Sequence, residues 1–338
     1  GDALTDADYN IAIGHTALGL DTLGSRTVAI GHSALDAQNF TTATNTYNVA
    51  VGHAAGSAIT TGVQNTLIGG LAGDVLSDAD FNVAIGYAAL STDTLGSSSV
   101  AIGREALFTQ NFTTATSSYN VAVGFQAGKS VTTGTNNTLI GALAGDAITT
   151  GHNNVAVGYA ALDANTTASN NIAVGKDALT ANTTGSENVA VGLDALQANT
   201  TASNNVGVGH SALEANTTGA NNTSIGKNSL GANTTGADNT AVGGSALTTN
   251  ITGANNVAMG VSALKLNTGS NNTAIGRGAL LNQAAGSDNT AVGKDAGNDI
   301  TTGVQNTLIG GLAGDAVSTG SNNTIIGYNS DTNSGAGG

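Results

Sequence analysis

The chain has 338 residues with 49 glycines and no proline, cysteine or tryptophan, a usage foreign to ordinary globular domains and, lacking proline and a G-X-Y period, to collagen. Eight Lys plus Arg against twenty-two Asp plus Glu give a net charge of −14 and no basic stripe for phosphate contacts, which argues against a nucleic-acid partner. No apolar run approaches the roughly 20 residues needed to cross a bilayer, so no membrane insertion is expected within this chain, and without cysteine the fold must be held by packing.

Self-similarity organises everything else. One glycine recurs at 14, 31, 52, 69, 86, 103, 124, 141, 158, 175, 192, 209, 226, 243, 260, 276, 293, 310 and 327, so the chain reads as a single continuous repeat array over 1–338. In chain order, 6–77 and 78–149 form a duplicated 72-residue super-repeat, and each copy contains a twenty-one-residue unit where "NFTTAT" is inserted, at Asn39 to Thr44 and Asn111 to Thr116. Regular 17-residue units fill 150–328, apart from one of sixteen between Gly260 and Gly276, and a Gly/Ser-rich end occupies 329–338. The chain opens without a signal peptide and in mid-unit, "GDALTDAD" at Gly1 matching "GDVLSDAD" at Gly73, so further units are expected upstream.

Counting positions from the glycine, −1 is Val or Ile in every unit but that of Met259, −3 is Val, Ile or Thr, and −4 is Asn except at Thr27 and Ser99. Positions −3 and −1 share one face of a short strand, since side chains alternate, and β-branched residues there predict the core face. The asparagines predict a stacked ladder at the strand entrance, and Gly14, Gly31, Gly52, Gly86, Gly158 and Gly175 predict tight corners that need φ > 0. With no Asn-Gly or Asp-Gly hairpin signal, parallel stacking of coils is preferred to a meander. The fold class expected is all-β, a parallel β-solenoid or β-roll of about nineteen 17-residue coils. Position −2 is also apolar and uncharged: Ala12, Ala29, Ala50, Ala84, Ala101, Ala122, Ala156, Ala173, Ala190 and Ala241 are expected to form an outward stripe covered by sister subunits.

The motif "NVAIGYAAL" at Asn82 and "SVAIGREAL" at Ser99 resembles the head repeat of trimeric autotransporter adhesins, and "NTAVGxxAL" with "NTTGxxN" resembles repeats of phage-type tail fibres. The resemblance covers the whole chain and implies a left-handed parallel β-roll, a homotrimer, and binding to a host surface or extracellular matrix. The unit here is longer than is usual in those heads.

Position +1 varies freely, as a solvent-facing column does. His15, His32, His53, Tyr87, Phe125 and Tyr159 in it, with Phe40 and Phe112 of the two insertions, are the expected surface-binding residues. The three histidines fall in successive coils at a spacing that would also suit a shared metal, a reading outweighed by the variety of the column. Carboxylates such as Asp74, Asp146, Asp163, Glu214 and Asp315 stand singly, and no nucleophile elbow, phosphate loop or zinc signature is present, so no catalytic residue, cofactor or metal is expected. The paired threonines of "ANTTG" raise ice binding as a minor alternative, and the Asn-x-Thr sequons at Asn39, Asn111, Asn165 and Asn182 read as turn chemistry. The function expected is therefore non-enzymatic: an adhesive or receptor-attaching fibre exposed on a cell or virion surface, or alternatively a structural filament or sheath subunit that joins only to itself.

Overall fold

Two β-branched residues on either side of a small one favour extended backbone, and the three residues before each corner glycine are a strand. The computed structural model describes residues 1–331 as an all-β parallel solenoid of nineteen turns, with no helix among the described residues. Of the Gly/Ser-rich end, 332–338 lie outside the described residues.

The chain divides into two units, Gly1–Asn171 and Ile172–Gly338. The first holds nine of the three-residue strands, from Ile11–Ile13 to Val155–Val157, each parallel to the next and in strict register, so that Ala12 faces Ala29 and Val49 faces Thr66. Two further parallel pairs of two-residue strands, Gly24–Ser25 with Thr44–Asn45 and Gly96–Ser97 with Thr116–Ser117, mark the inserted segments. The second unit holds ten strands, from Ile172–Val174 to Thr324–Ile326, stacked in the same register. Pairing continues beyond the strands: Leu196 N–H donates to Ala212 O at 2.9 Å and Thr200 N–H to Thr217 O at 3.1 Å. Most backbone groups of a turn are thus satisfied by its neighbour.

The corner glycine answers two constraints at once. Gly192 has φ of +136°, and a Cβ there would lie 2.6 Å from Gly209 O of the next turn. The segment that follows is a string of turns, in which positions +2 and +4 take left-handed backbone, as at Asp177 (φ 55°) and Leu179 (φ 53°). A leucine in that region is strained, and coil-to-coil bonds such as Leu179 N–H to Ala195 O at 3.0 Å hold it there.

The core is inverted relative to the sequence expectation. Position −2 points into the turn: Ala29, Ala50, Ala84, Ala101, Ala122, Ala156, Ala173, Ala190 and Ala241 are fully buried within their own chain, and Ala12 of the first strand alone is exposed. These alanines form no free stripe for another subunit. Their inward neighbours are the alanine at +3 and the leucine at +4; a Cβ added at Gly207, which occupies the column, would meet Ala212 O at 3.2 Å and Leu196 Cγ at 3.2 Å. Inside so narrow a turn a small side chain is what fits between strand and leucine, which leaves the larger β-branched residues at −3 and −1 on the outside.

Two polar ladders complete the interior. The −4 asparagine accepts the next ladder residue's N–H and donates across the turn: Asn154 N–H to Asn137 Oδ1 is 3.0 Å, and Asn137 Nδ2 to Gly151 O is 2.9 Å. A second ladder at +7 was not anticipated; Asn199 Nδ2 donates to Asn182 Oδ1 at 2.9 Å and to Ala202 O at 3.0 Å. These amides are fully buried, which is tolerable because they are bonded.

Candidate interaction surface

Outward-facing strand residues build a regular surface in each unit. Positions −3 and −1 carry only Val, Ile, Thr and one Met in all nineteen turns, and not one charge. Most are partly exposed, with Ile68, Ile140, Ile225, Met259, Ile275 and Ile309 about two-fifths open to solvent. Within each unit this uncharged face of Val, Ile, Thr and Met continues turn after turn, on a chain of net charge −14, which is unlike an ordinary solvated sheet face.

Aromatic residues flank that face. All six tyrosines stand at −5 (Tyr9, Tyr47, Tyr119) or +1 (Tyr87, Tyr159, Tyr328), and every one is exposed. The expected surface residues Tyr87, Phe125, Tyr159, His15, His32 and His53 are likewise at the surface. His15, His32 and His53 form a column with ring centroids 5.2 and 5.4 Å apart and planes inclined by 18° and 14°. On the other flank Arg26 lies between Tyr9 and Tyr47, its guanidinium carbon 5.0 and 5.8 Å from their centroids, and donates from Nε to Asn45 Oδ1 at 3.0 Å.

Phe40 and Phe112 do not belong to this surface. Both are buried, at 6% exposure, where the sequence reading placed them outside. The reason is a lock that the reading missed. Asp21, at +7, is fully buried and accepts from Gly24 N–H (3.1 Å), Phe40 N–H (3.2 Å) and Gln38 Nε2 (2.7 Å), while Gln38 Oε1 accepts from Asn48 Nδ2 at 2.9 Å. Asp93, Gln110, Phe112 and Asn120 repeat the arrangement. Thr27 and Ser99, which break the −4 ladder, are too short to span the turn, and the long amides of Gln38 and Gln110 reach them instead, at 3.2 and 2.8 Å. The signal was present in the sequence: the two breaks in the asparagine column each precede an insertion, and each is accompanied by the same Asp and Gln.

Charged groups are few and mostly local. Glu105 accepts from Gln126 Nε2 at 2.8 Å and pairs with Lys129 Nζ at 3.2 Å and Arg104 Nη2 at 2.9 Å; these donors, Gln126 foremost, hold its carboxyl down at about 2. Burial pushes Asp146 up, partly offset by the Lys129 charge. Asp315 is raised by burial first, then by the charge and hydrogen bond of Asp331. The threonines at +8 are committed internally, Thr183, Thr200 and Thr217 each donating from Oγ1 to the next turn's carbonyl at 3.0 to 3.1 Å. Only the +9 threonines of the pairs lie open. Adhesin or tail-fibre identity gains no support from relatives: no protein-family model matches the chain, and no curated protein matches it.

Proposed function

We propose that the chain is a non-enzymatic fibrous surface protein, adhesive or receptor-attaching, in which copies of the chain bundle through the outward face of positions −3 and −1. The observation that carries this reading is that face itself: uncharged over nineteen turns, partly exposed in the single chain, and bordered by aromatic side chains, which are enriched where proteins meet. The borders also match level by level. Where an aromatic stands at −5, a ring stands at +1 of the same turn: Tyr9 with His15, Tyr47 with His53, Phe81 with Tyr87, Tyr119 with Phe125. Within one chain these residues lie at opposite ends of a strand, so parallel copies held in register would bring each pair together. Resemblance to adhesin heads and tail fibres supports three copies and an extracellular or virion-surface setting.

Mass in solution of the wild type against Val189→Lys/Val191→Lys tests the self-association. The double variant keeps its β-sheet circular dichroism, since both side chains point outward, and falls from oligomer to monomer. A wild-type chain that is monomeric at micromolar concentration sinks the proposal. Saturable binding to cells or matrix then separates an attachment fibre from a filament subunit that polymerises without any receptor.

A further inference from the structure

Asn-x-Thr sequons recur along the chain, and the fold sorts them into three kinds. Asn165, Asn182, Asn199, Asn216, Asn233 and Asn250 are the +7 ladder: fully buried, with side-chain amides engaged in hydrogen bonds, as Asn216 Nδ2 is to Asn199 Oδ1 of the neighbouring turn at 2.9 Å and to Gly219 O of its own turn at 2.9 Å. Asn136, Asn221, Asn271 and Asn322 are exposed, but the threonine two residues on is in each case the first residue of a strand, fixed by parallel pairing. Asn39 and Asn111 differ from both. Each is exposed and accepts at Oδ1 from a threonine hydroxyl, Thr22 for Asn39 and Thr94 for Asn111, while among the described residues its Nδ2 donates no hydrogen bond and the exposed Thr41 and Thr113 hydroxyls make none.

We propose that Asn39 and Asn111 are acceptor sites for N-linked glycosylation, taking a saccharide from a phosphate-activated sugar donor. In such a transfer the bond from sugar C1 to the donor's phosphate oxygen breaks, a bond from C1 to Nδ2 forms, and one amide proton passes to base as the phosphate group leaves. The asparagine nitrogen must be reachable and free of other hydrogen bonds, and the hydroxyl at the third position must be available to the enzyme. Both conditions hold at these two positions. The residue between asparagine and threonine serves a different purpose: Phe40 and Phe112 are buried and their N–H groups donate to Asp21 and Asp93, at 3.2 and 3.0 Å. Each sequon is therefore presented on a pinned base, and the 72-residue duplication sets the two bases four turns apart, ~19 Å at the usual strand spacing. The strand residues assigned above to self-association lie elsewhere in the turn, so this inference and that reading stand or fall separately.

The test uses the folded 338-residue chain, an N-glucosyltransferase specific for Asn-x-Thr, uridine diphosphate glucose as donor, and site mapping by mass spectrometry. Hexose is expected on Asn39 and Asn111 and on none of the six ladder asparagines; Thr41→Ala and Thr113→Ala, with unchanged circular dichroism, each remove the hexose from their own site alone. Absence of hexose from either asparagine of the folded wild type, equal occupancy of a ladder asparagine, or hexose that survives the threonine substitutions overturns the proposal.

Discussion

The turns around Leu67 and those around Asn199 fill the same interior by opposite means. In the second unit, at Asn182 through Asn233, position +4 is leucine, −2 is small and +7 is asparagine, so a leucine enters from the wall after the glycine and the far corner is a buried amide ladder. Around Leu67, in the first unit, every term reverses: Gly56 and Gly73 take +4, Ile59 and Leu76 take +7, and the leucine stands on the strand at −2. A Cβ at Gly56 would lie 2.6 Å from Leu67 Cδ1, and one at Gly73 would lie 2.9 Å from Leu67 Cδ2. One side chain fills the space that two glycines vacate. The turn has a fixed interior volume, and what the sequence can vary is the wall from which it is filled, provided that three columns change together. Each solution has a cost. Ladder turns hold a leucine in left-handed backbone; plugged turns put glycine there without strain but rely on one large residue shared between two turns.

Leu67→Ala should therefore be the most damaging change, at about 3–5 kcal/mol, because the cavity is walled by glycines that cannot collapse into it. Gly56→Leu alone overpacks the same space and should cost about 1–3 kcal/mol. Together the two should cost much less than their sum, since leucine at +4 over alanine at −2 is the ladder-turn solution. Urea unfolding of the four-member cycle measures the coupling, and additive costs would break the idea of a shared volume.

Asn199→Ala should follow, at about 1–3 kcal/mol for a broken buried ladder: Asn216 Nδ2 keeps only its bond to Gly219 O, Ala202 O keeps only its bond from Asn188 Nδ2, and Asn182 Oδ1 loses the amide that Asn199 donates to it. Amide hydrogen exchange across 196–205 should speed up while exchange in 52–86 stays as it was. Asn199→Leu should be no better unless position +4 becomes glycine and position −2 leucine in the same chain, which is the comparison in reverse.

A smaller effect comes from the sixteen-residue turn. Asn267 folds back on Gly269 O at 2.9 Å instead of reaching Asn250, and Asn250 Oδ1 and Gln283 Oε1 are the two buried side-chain atoms without a partner among the described residues. One residue is missing from "NTGS" relative to "NTTG". Inserting a threonine between Thr268 and Gly269 should restore the ladder and stabilise the second unit by about 1 kcal/mol, read as slower exchange at Asn250 and its neighbours.

Much of this was legible beforehand, and the reason is periodicity. A column of nineteen glycines with β-branched neighbours specifies parallel turns in register, and the −4 asparagines announced their ladder. Which strand face looks inward was not legible from alternation, because both faces are apolar and the period says only that they differ. The deciding fact lies in another column: leucine at +4 occupies the lumen and leaves room only for a small side chain. Phe40 and Phe112 misled for a related reason. An insertion suggests a loop tip, whereas Asp21 and Asp93, at a column that amides or aliphatics fill in every other turn as far as Val317, draw the insertions back onto the turn.

The smallest predicted effects are in acid, and they have opposite signs at two sites. Glu105 in the first unit is held near 2 by Gln126, Lys129 and Arg104, below the ordinary glutamate value. A carboxyl that is more acidic folded than unfolded stabilises the fold above its unfolded pKa, and that contribution is lost as pH falls toward 2. Asp315 in the second unit is displaced upward by burial and by Asp331, so the folded state holds its proton more tightly than the unfolded chain does. Its ionised form weighs against folding at neutral pH, and acidification through the carboxylate range relieves that weight. Between pH 7 and the ordinary carboxylate range, Asp315→Asn should therefore flatten the acid-side gain around Asp315, while Glu105→Gln should leave it untouched and instead remove the loss seen at still lower pH. Site-resolved hydrogen exchange, corrected for the pH dependence of intrinsic rates, separates the two; an Asp315 region that weakens steadily from pH 7 downward would contradict the sign given to it.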